Sequence, residues 1–339
     1  MTSGQGPRTS GGEGLDPSGI WRPAASLETL RARAALLAET RAFFAERGVL
    51  EVETPMASRA AASDPAIESL ATRWSGQGGW QPLYLHTSPE LPMKRLLAAG
   101  IGPIYQICKV FRDGERGRLH HPEFSMLEWY RPGTSYGQLM DEVADLVRRA
   151  LGRPDLALER LASRELFRER IGVDPWSSEV AALRDRALEL GISGGESLDL
   201  DRDGWLDLLL VHRLEPGLGR GCLSFVHDYP PSQAALARVR PGSVPVAERF
   251  ELYLEGVELA NGFQELTDPA AQEARFAADL TERRARGLPV PPVDRVFLAA
   301  LAAGMPEGSG VALGLDRLLM ARVGARHIDE VLAFPIERA

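Results

Sequence analysis

The sequence predicts an α+β fold built on an antiparallel β-sheet. Three observations carry that expectation. Strand-like runs and helical stretches share one chain without a regular βαβ alternation. Residues 247–267 alternate around Glu255-Gly256 as a β-hairpin does. No internal repeat is visible.

Taken in order, residues 1–25 are dominated by Gly, Ser, Pro and Thr and are expected to be a disordered tail. Residues 26–339 are expected to form one folded domain. Leu27, Leu30, Ala34, Leu37, Phe43 and Phe44 recur at helical spacing, with Ser26 as N-cap and Gly48 as stop. VLEVETP then reads as a strand ended by Pro55. Further strands are expected at 83–87, 104–108 and 123–130. A helix over 135–151 would carry Leu139, Val143, Leu146, Val147 and Leu151 on one side. Residues 155–220 look helical and offer no chemical motif. Beyond the hairpin, Asp268-Pro269 opens a helix to Arg286, and GVALGLDRLLMAR closes the chain as strand, turn, helix.

Bulk properties narrow the function. The 339 residues are 44% hydrophobic and 25% charged, ordinary for a globular protein with a substantial core. Lys plus Arg number 39 against 47 Asp plus Glu, a net charge of -8, which argues against nucleic acid as a stable partner. Cys108 and Cys222 are too few and too far apart for a disulfide framework or a zinc site, and are expected to be buried, reduced thiols. No run reaches the roughly 18 apolar residues of a membrane span, and the N-terminus has no signal-like apolar region. A cytoplasmic protein is expected.

Four segments carry chemistry. In EFSMLEWY a period of two places Phe124, Met126, Glu128 and Tyr130 on one sheet face. A buried carboxylate there needs a cationic partner, and a substrate ammonium is one candidate. The charged loop before it, with three arginines, could equally be solvated. In the hairpin, Tyr253 is expected to pair with Glu258, with Glu251 on the same face one pleat away. Two close carboxylates suit a divalent cation such as Mg²⁺, although acids facing water would account for the pattern too. Glu265 follows as a third acid after Asn261-Gly262. In GVALGLDR, small residues before Asp-Arg at a helix start suit close approach of something flat or anionic, with Arg317 placed to meet it. In HTSPELPMKRLL, Thr87-Ser88 before Pro89-Glu90 reads as a capped helix start, and Glu90 could project into a pocket.

In order and spacing these segments resemble the signature motifs of class II aminoacyl-tRNA synthetases. RGVLEVETP is similar to motif 1, the dimer-forming strand; FRDGERGRLHHPEFSMLEWY to motif 2; GVALGLDR to motif 3. TSPE, MLEWY and ELANGFQEL are similar to segments of lysyl-tRNA synthetases, and the resemblance covers essentially residues 27–339. It implies the class II synthetase catalytic fold and formation of an aminoacyl-adenylate from ATP and a lysine-like amino acid. Only about 25 residues precede the first helix, too few for the anticodon-binding OB fold of a lysyl-tRNA synthetase. That architecture resembles the lysine-ligase paralogues of those enzymes, which pass (R)-β-lysine to a lysine ε-amine of elongation factor P. Ala312, where lysyl-tRNA synthetases usually carry Gly, points the same way. Another acceptor, such as a tRNA, or a non-catalytic binding paralogue are the alternatives.

The resemblance also implies roles. Arg112 and Arg317 would be catalytic, Arg112 holding the α-phosphate and the substrate carboxylate. Phe124 and Arg317 would sandwich the adenine, with Asp113, Glu115, His121, Glu258, Leu259 and Gly314 completing the ATP site. Glu251 and Glu258 would hold Mg²⁺. Glu90 would take the backbone-side amine of the amino acid and Arg112 its carboxylate, Glu128, Tyr130 and Glu265 would gather round the distal ammonium, and Ser88, Pro89 and Asn261 would complete the substrate site. A homodimer is implied by motif 1. The chain departs from the pattern at Gly114, where the adenine-contacting Glu usually stands, so that Glu115 is expected to replace it. It departs again at His121, where relatives have Asn, and at Leu91-Pro92.

Overall fold

The computed structural model describes residues 19–192 and 194–339. Helix α1 (Leu27–Ala45) begins where Ser26 Oγ accepts the Thr29 N–H at 3.0 Å, as the sequence predicts. It leads to β1 (Leu50–Glu51) and to a small sheet of β2 (Ala57–Ser58), β3 (Ala71–Gly76) and β4 (Gly79–Leu85). Then come α2 (Glu90–Ala98), β5 (Ile104–Phe111), β6 (Glu123–Pro132) and α3 (Tyr136–Leu151). The middle of the chain holds β7 (Ala157–Ala162), α4 (Ser163–Arg170), α5 (Val180–Glu189) and α6 (Arg202–Leu209). Strands β8 (Cys222–Tyr229), β9 (Val239–Arg240), β10 (Val246–Leu254) and β11 (Val257–Gln264) follow. The chain ends with α7 (Pro269–Ala285), α8 (Arg295–Gly304), β12 (Gly308–Gly314) and α9 (Leu315–Val323).

The large sheet runs β1-β5-β6-β12-β11-β10-β8-β7, with β9 on β10. Its centre is antiparallel throughout; only the outer pairs β1–β5 and β7–β8 are parallel. The predicted α+β class with an antiparallel sheet therefore holds. One face packs on α1, α3 and α9, through Phe44, Leu139, Val143, Leu319 and the strand residues Leu127, Trp129, Val311 and Leu313. Because strand side chains alternate, burying Leu127 and Trp129 on that face turns Met126, Glu128 and Tyr130 to the other. The functional cavity lies there. Beside it, α2, α7 and α8 pack through Met93, Leu97, Phe276, Phe297 and Leu301.

The hairpin has the predicted register: Tyr253 faces Glu258 and Leu254 faces Val257. Glu255 and Gly256 both have positive φ, +50° and +75°, the type I′ geometry that matches strand twist. Other expectations need correction. The strand predicted over VLEVETP shrinks to Leu50–Glu51, with one further bond from the Val52 N–H to the Tyr105 carbonyl at 2.8 Å. It lies at the sheet edge with a single neighbour, and Pro55 can donate to none. Residues 155–220 are not all helical, since β7 pairs in parallel with β8, Ala157 facing Cys222 and Ala162 facing His227. That partner lies far along the chain, beyond what a local pattern reveals. Around it α4, α5 and α6 build a second core on Phe167, Leu183, Trp205 and Leu209.

Of the expected tail, residues 1–18 lie outside the described residues. Residues 19–25 do not behave as a tail: Ala24 and Ala25 donate to the carbonyls of Ala333 and Leu332 at 2.8 and 3.1 Å, and Ala25 is buried. The two cysteines are free but only half-buried; burial pushes the Cys108 thiol up to about 12. No helix among the described residues is long and apolar enough to cross a membrane.

Candidate active site

A cavity of about 950 Å³ opens on the free face of β6, β11 and β12. It gathers most of the residues singled out in the sequence. Phe124, Glu128 and Tyr130 come from β6, and Glu258, Leu259 and Asn261 from β11, with Glu265 just beyond. Glu251 projects from β10, and Gly314 and Arg317 from the β12–α9 junction. Ser88 and Glu90 enter from the start of α2, and Arg112, Glu115 and His121 from the loop between β5 and β6.

Two expected residues do not line it. Asp113 is exposed, and its Oδ1 accepts the Gly114 N–H at 2.9 Å, shaping the loop instead. Pro89 is buried as the N-cap of α2, where it has no side-chain bond to offer; Ser88 Oγ accepts the Glu90 N–H at 3.3 Å in its place. His121 reaches the cavity wall, but both its ring nitrogens are engaged. Nε2 accepts the Ile336 N–H at 2.9 Å, and Nδ1 lies against the Glu123 backbone, 2.5 Å from its carbonyl oxygen and 3.1 Å from its N–H nitrogen. These contacts fix the loop between β5 and β6 against the C-terminal segment.

One end of the cavity is acidic. Glu128 is 2% exposed, and its Oε1 accepts the Tyr130 hydroxyl at 2.6 Å. Its Oε2 is buried and has no hydrogen-bond partner. Glu265 lies close by, where a Cβ on Gly310 would stand 2.3 Å from the Tyr130 ring and 2.5 Å from Glu265 Oε1; only glycine leaves room for both. Burial pushes the Glu128 carboxyl up to about 8, with Glu90 adding repulsion. Burial also raises Glu265, to about 7, against the pull of Lys94. Lys94 was not singled out in the sequence. Its Nζ is wholly buried between Glu90 Oε1 at 2.6 Å and Glu265 Oε2 at 2.5 Å. The second contact is an ion pair without hydrogen-bond alignment.

The other end mixes signs. Arg317 donates to the Glu258 carbonyl at 2.8 Å, to Glu258 Oε2 at 3.2 Å and to the Leu119 carbonyl at 3.3 Å. Its second amino group lies 2.9 Å from His120 Nε2. Burial and then Arg317 lower the His120 pKa, so the ring is neutral and accepts. Glu251 is held by Arg249 and by the Tyr229 and Tyr253 hydroxyls at 2.7 and 2.6 Å. Glu258 is 36% open to the cavity yet sits deep among other charges; burial first and Glu251 second raise its pKa, against Arg317 and Arg249. Arg112 lies 5.1 Å from the Phe124 ring centroid and 3.6 Å from Glu115, and its buried Nε has no partner. It is a guanidinium with donors to spare. Before Arg317, Asp316 is buried, accepting the Ser125 N–H at 2.6 Å and paired with Arg33 of α1.

Among the described residues no group of three or more His, Cys, Asp or Glu could hold a metal ion. Glu251 and Glu258 both line the cavity, Glu251 with its oxygens already held by Arg249, Tyr229 and Tyr253; a cation bound there would take its remaining ligands from a phosphate-bearing substrate and water. Burial first and Glu251 second raise the Glu258 carboxyl, and a divalent ion there would relieve the second of these. Beyond the predicted set the structure adds Lys94, Arg249, Tyr229 and His120. Two of them had a signal: Glu90 and Lys94 stand four apart on a helix, and Arg249 and Glu251 two apart on a strand.

A family model described as tRNA synthetases class II (D, K and N) matches residues 20–338. A curated protein from Enterobacter sp. (strain 638), named elongation factor P–(R)-β-lysine ligase, is 47% identical over 328 residues, covering 96% of this chain and 100% of its own. Proteins of the same name from Salmonella dublin and Salmonella paratyphi B (strain ATCC BAA-1250 / SPB7) are each 47% identical over 327 residues, with the same coverage.

Proposed function

Because the chain belongs to the class II tRNA synthetases, we propose that it activates (R)-β-lysine or lysine with ATP and transfers it to a lysine ε-amine of translation elongation factor P. It is an ATP-dependent, AMP-forming ligase. The observation that carries the reading is a single cavity with two unlike ends: Glu128 with an unsatisfied carboxylate oxygen at one, and Arg112 with an unpartnered Nε beside the Glu251–Glu258 pair at the other.

In the first step the substrate carboxylate attacks the α-phosphorus, and the bond to pyrophosphate breaks. Arg112 meets the negative charge of both groups, and within the cavity its attraction counts for more than in bulk solution. Glu128, Tyr130 and Glu265 hold the distal ammonium and Glu90 the other amine, which aligns the carboxylate without any covalent enzyme intermediate. Glu251 and Glu258 would hold Mg²⁺, whose charge offsets that of the phosphates. The adenine lies along Phe124 and Arg317, with Glu115 in reach of its amino group. In the second step a neutral ε-amine attacks the acyl carbon, the bond to AMP breaks, and the ammonium formed loses its extra proton.

A homodimer and a cytoplasmic location belong to the same proposal; light scattering on the purified protein measures the first. The central test incubates protein, ATP and Mg²⁺ with α-lysine or β-lysine, with and without elongation factor P, and reads the intact mass of the factor. A gain of one lysyl residue is expected. No gain under any condition overturns the proposal, and amino-acid-dependent pyrophosphate exchange without a gain moves the acceptor elsewhere.

A further inference from the structure

Lys94 is a buried ammonium that the reaction as described does not use. It lies on α2 one turn after Glu90, and its side chain is 0% exposed. On the same helix Met93 and Leu97 pack in one apolar cluster with Phe297 of α8 and Phe276 of α7. The charged and titratable groups facing the acidic end are Glu90 from the same helix, Glu265 after β11, Glu128 and Tyr130 from β6, and Cys108 from β5. With all ionised, three carboxylates and one ammonium leave two negative charges. A diamino acid brings two ammonium groups.

We infer that Lys94 is a positioning residue: clamped between Glu90 and Glu265, it sets the net charge of the acidic end to match a substrate with two ammonium groups and aims both carboxylates at it. This rests on the reading that the cavity holds a lysine-like amino acid. The geometry carries the argument. Lys94 reaches one oxygen of each carboxylate and does not line the cavity itself, so it competes for neither the substrate's space nor the second oxygens. Without it, three carboxylates would crowd one enclosed end, and repulsion would make them take up protons in preference to staying charged. Burial pulls the Lys94 ammonium's pKa down, but Glu265 and Glu90 outweigh it and the net shift is upward. The ammonium thus stays charged while the acids around it titrate, which suits a fixed countercharge.

The test compares wild type with Lys94→Met and Lys94→Gln, the latter close in size and still a hydrogen-bond donor. In folded variants the KM for lysine in pyrophosphate exchange should rise about 100-fold or more, while the KM for ATP stays within about threefold. The acidic limb of log(kcat/KM) for lysine should move up by about one pH unit or more. Lys94→Arg, which keeps the cation, should leave that limb within a few tenths of a unit of wild type even if kcat/KM falls. An unmoved acidic limb in Lys94→Met or Lys94→Gln, or equal losses for ATP and lysine, overturns the inference. Should neither neutral variant fold, proton release decides on the wild-type protein. Calorimetry of lysine binding at about pH 8, in two buffers of different ionisation enthalpy, should show about one proton released or fewer. Release approaching two would mean that Lys94 does not keep its partners charged. Absence of lysine-dependent exchange in wild type would instead sink the reading of the cavity, a distinct failure.

Discussion

The two acidic groups in the cavity differ in how far the protein has already answered their charge. Glu251 and Glu258 face Arg249 and Arg317, so the phosphate end is close to balanced within the protein. At the amine end one lysine pairs with Glu90 and Glu265, and Glu128 beside them keeps an oxygen without a partner. A balanced site suits a ligand that brings both signs, as a metal–nucleotide complex does. An unbalanced one suits a bare cation, which it binds by relieving a cost built in during folding. The same residue type thus does different work at either end, and the difference lies in the neighbouring cations.

Breaking the phosphate end should have the largest effect. Arg112→Ala and Glu258→Ala are each expected to lower adenylate formation by about 1,000-fold or more, with the fold intact by circular dichroism. Retained pyrophosphate exchange in either would remove that residue from its assigned role. At the amine end, Glu128→Gln should raise the KM for lysine by about 100-fold and leave the KM for ATP within about threefold. A parallel loss for ATP would show that the two ends do not act separately.

The imbalance should also show in pH dependence. Glu265 and Glu128 titrate upward, at about 7 and about 8, and only their ionised forms attract an ammonium. Lysine affinity measured by calorimetry should therefore increase from about pH 6 to about pH 8.5. Stability of the ligand-free protein runs the other way. The folded pKa of Glu128 lies above its ordinary value of 4.5, so its contribution is full below that value and is lost as pH rises through about 8. Denaturant unfolding should show this decline, and Glu128→Gln should flatten it. The smallest effects belong to the loop between β5 and β6. Glu115→Gln should raise the KM for ATP about fivefold, and Asp113→Asn should leave it within about twofold, because Asp113 faces away from the cavity.

What the sequence made legible was local. The period of two in EFSMLEWY placed Glu128 and Tyr130 on the cavity face, and Glu255-Gly256 placed Tyr253 opposite Glu258. The middle of the chain was misread because β7 finds its partner in β8, across three helices, and its own six residues show no clean alternation of burial. Glu90 was legible as an acid entering a pocket, yet its countercharge was overlooked although it stands one turn away in the same motif. His121 shows the converse: its place in a nucleotide-binding motif suggested contact, and only the bonds to Glu123 and Ile336 reveal that both nitrogens are occupied.

Asp316 carries a last consequence. Arg33 from the first helix and the Ser125 amide from β6 both grip it, and it adjoins Arg317, the arginine proposed to meet the nucleotide. Three segments distant in sequence thus lock the backbone from which Arg317 extends. Much of the ordering that a nucleotide would otherwise impose on that side chain's anchor is complete before it arrives. Loosening Arg33 should therefore register as a more negative binding entropy for ATP.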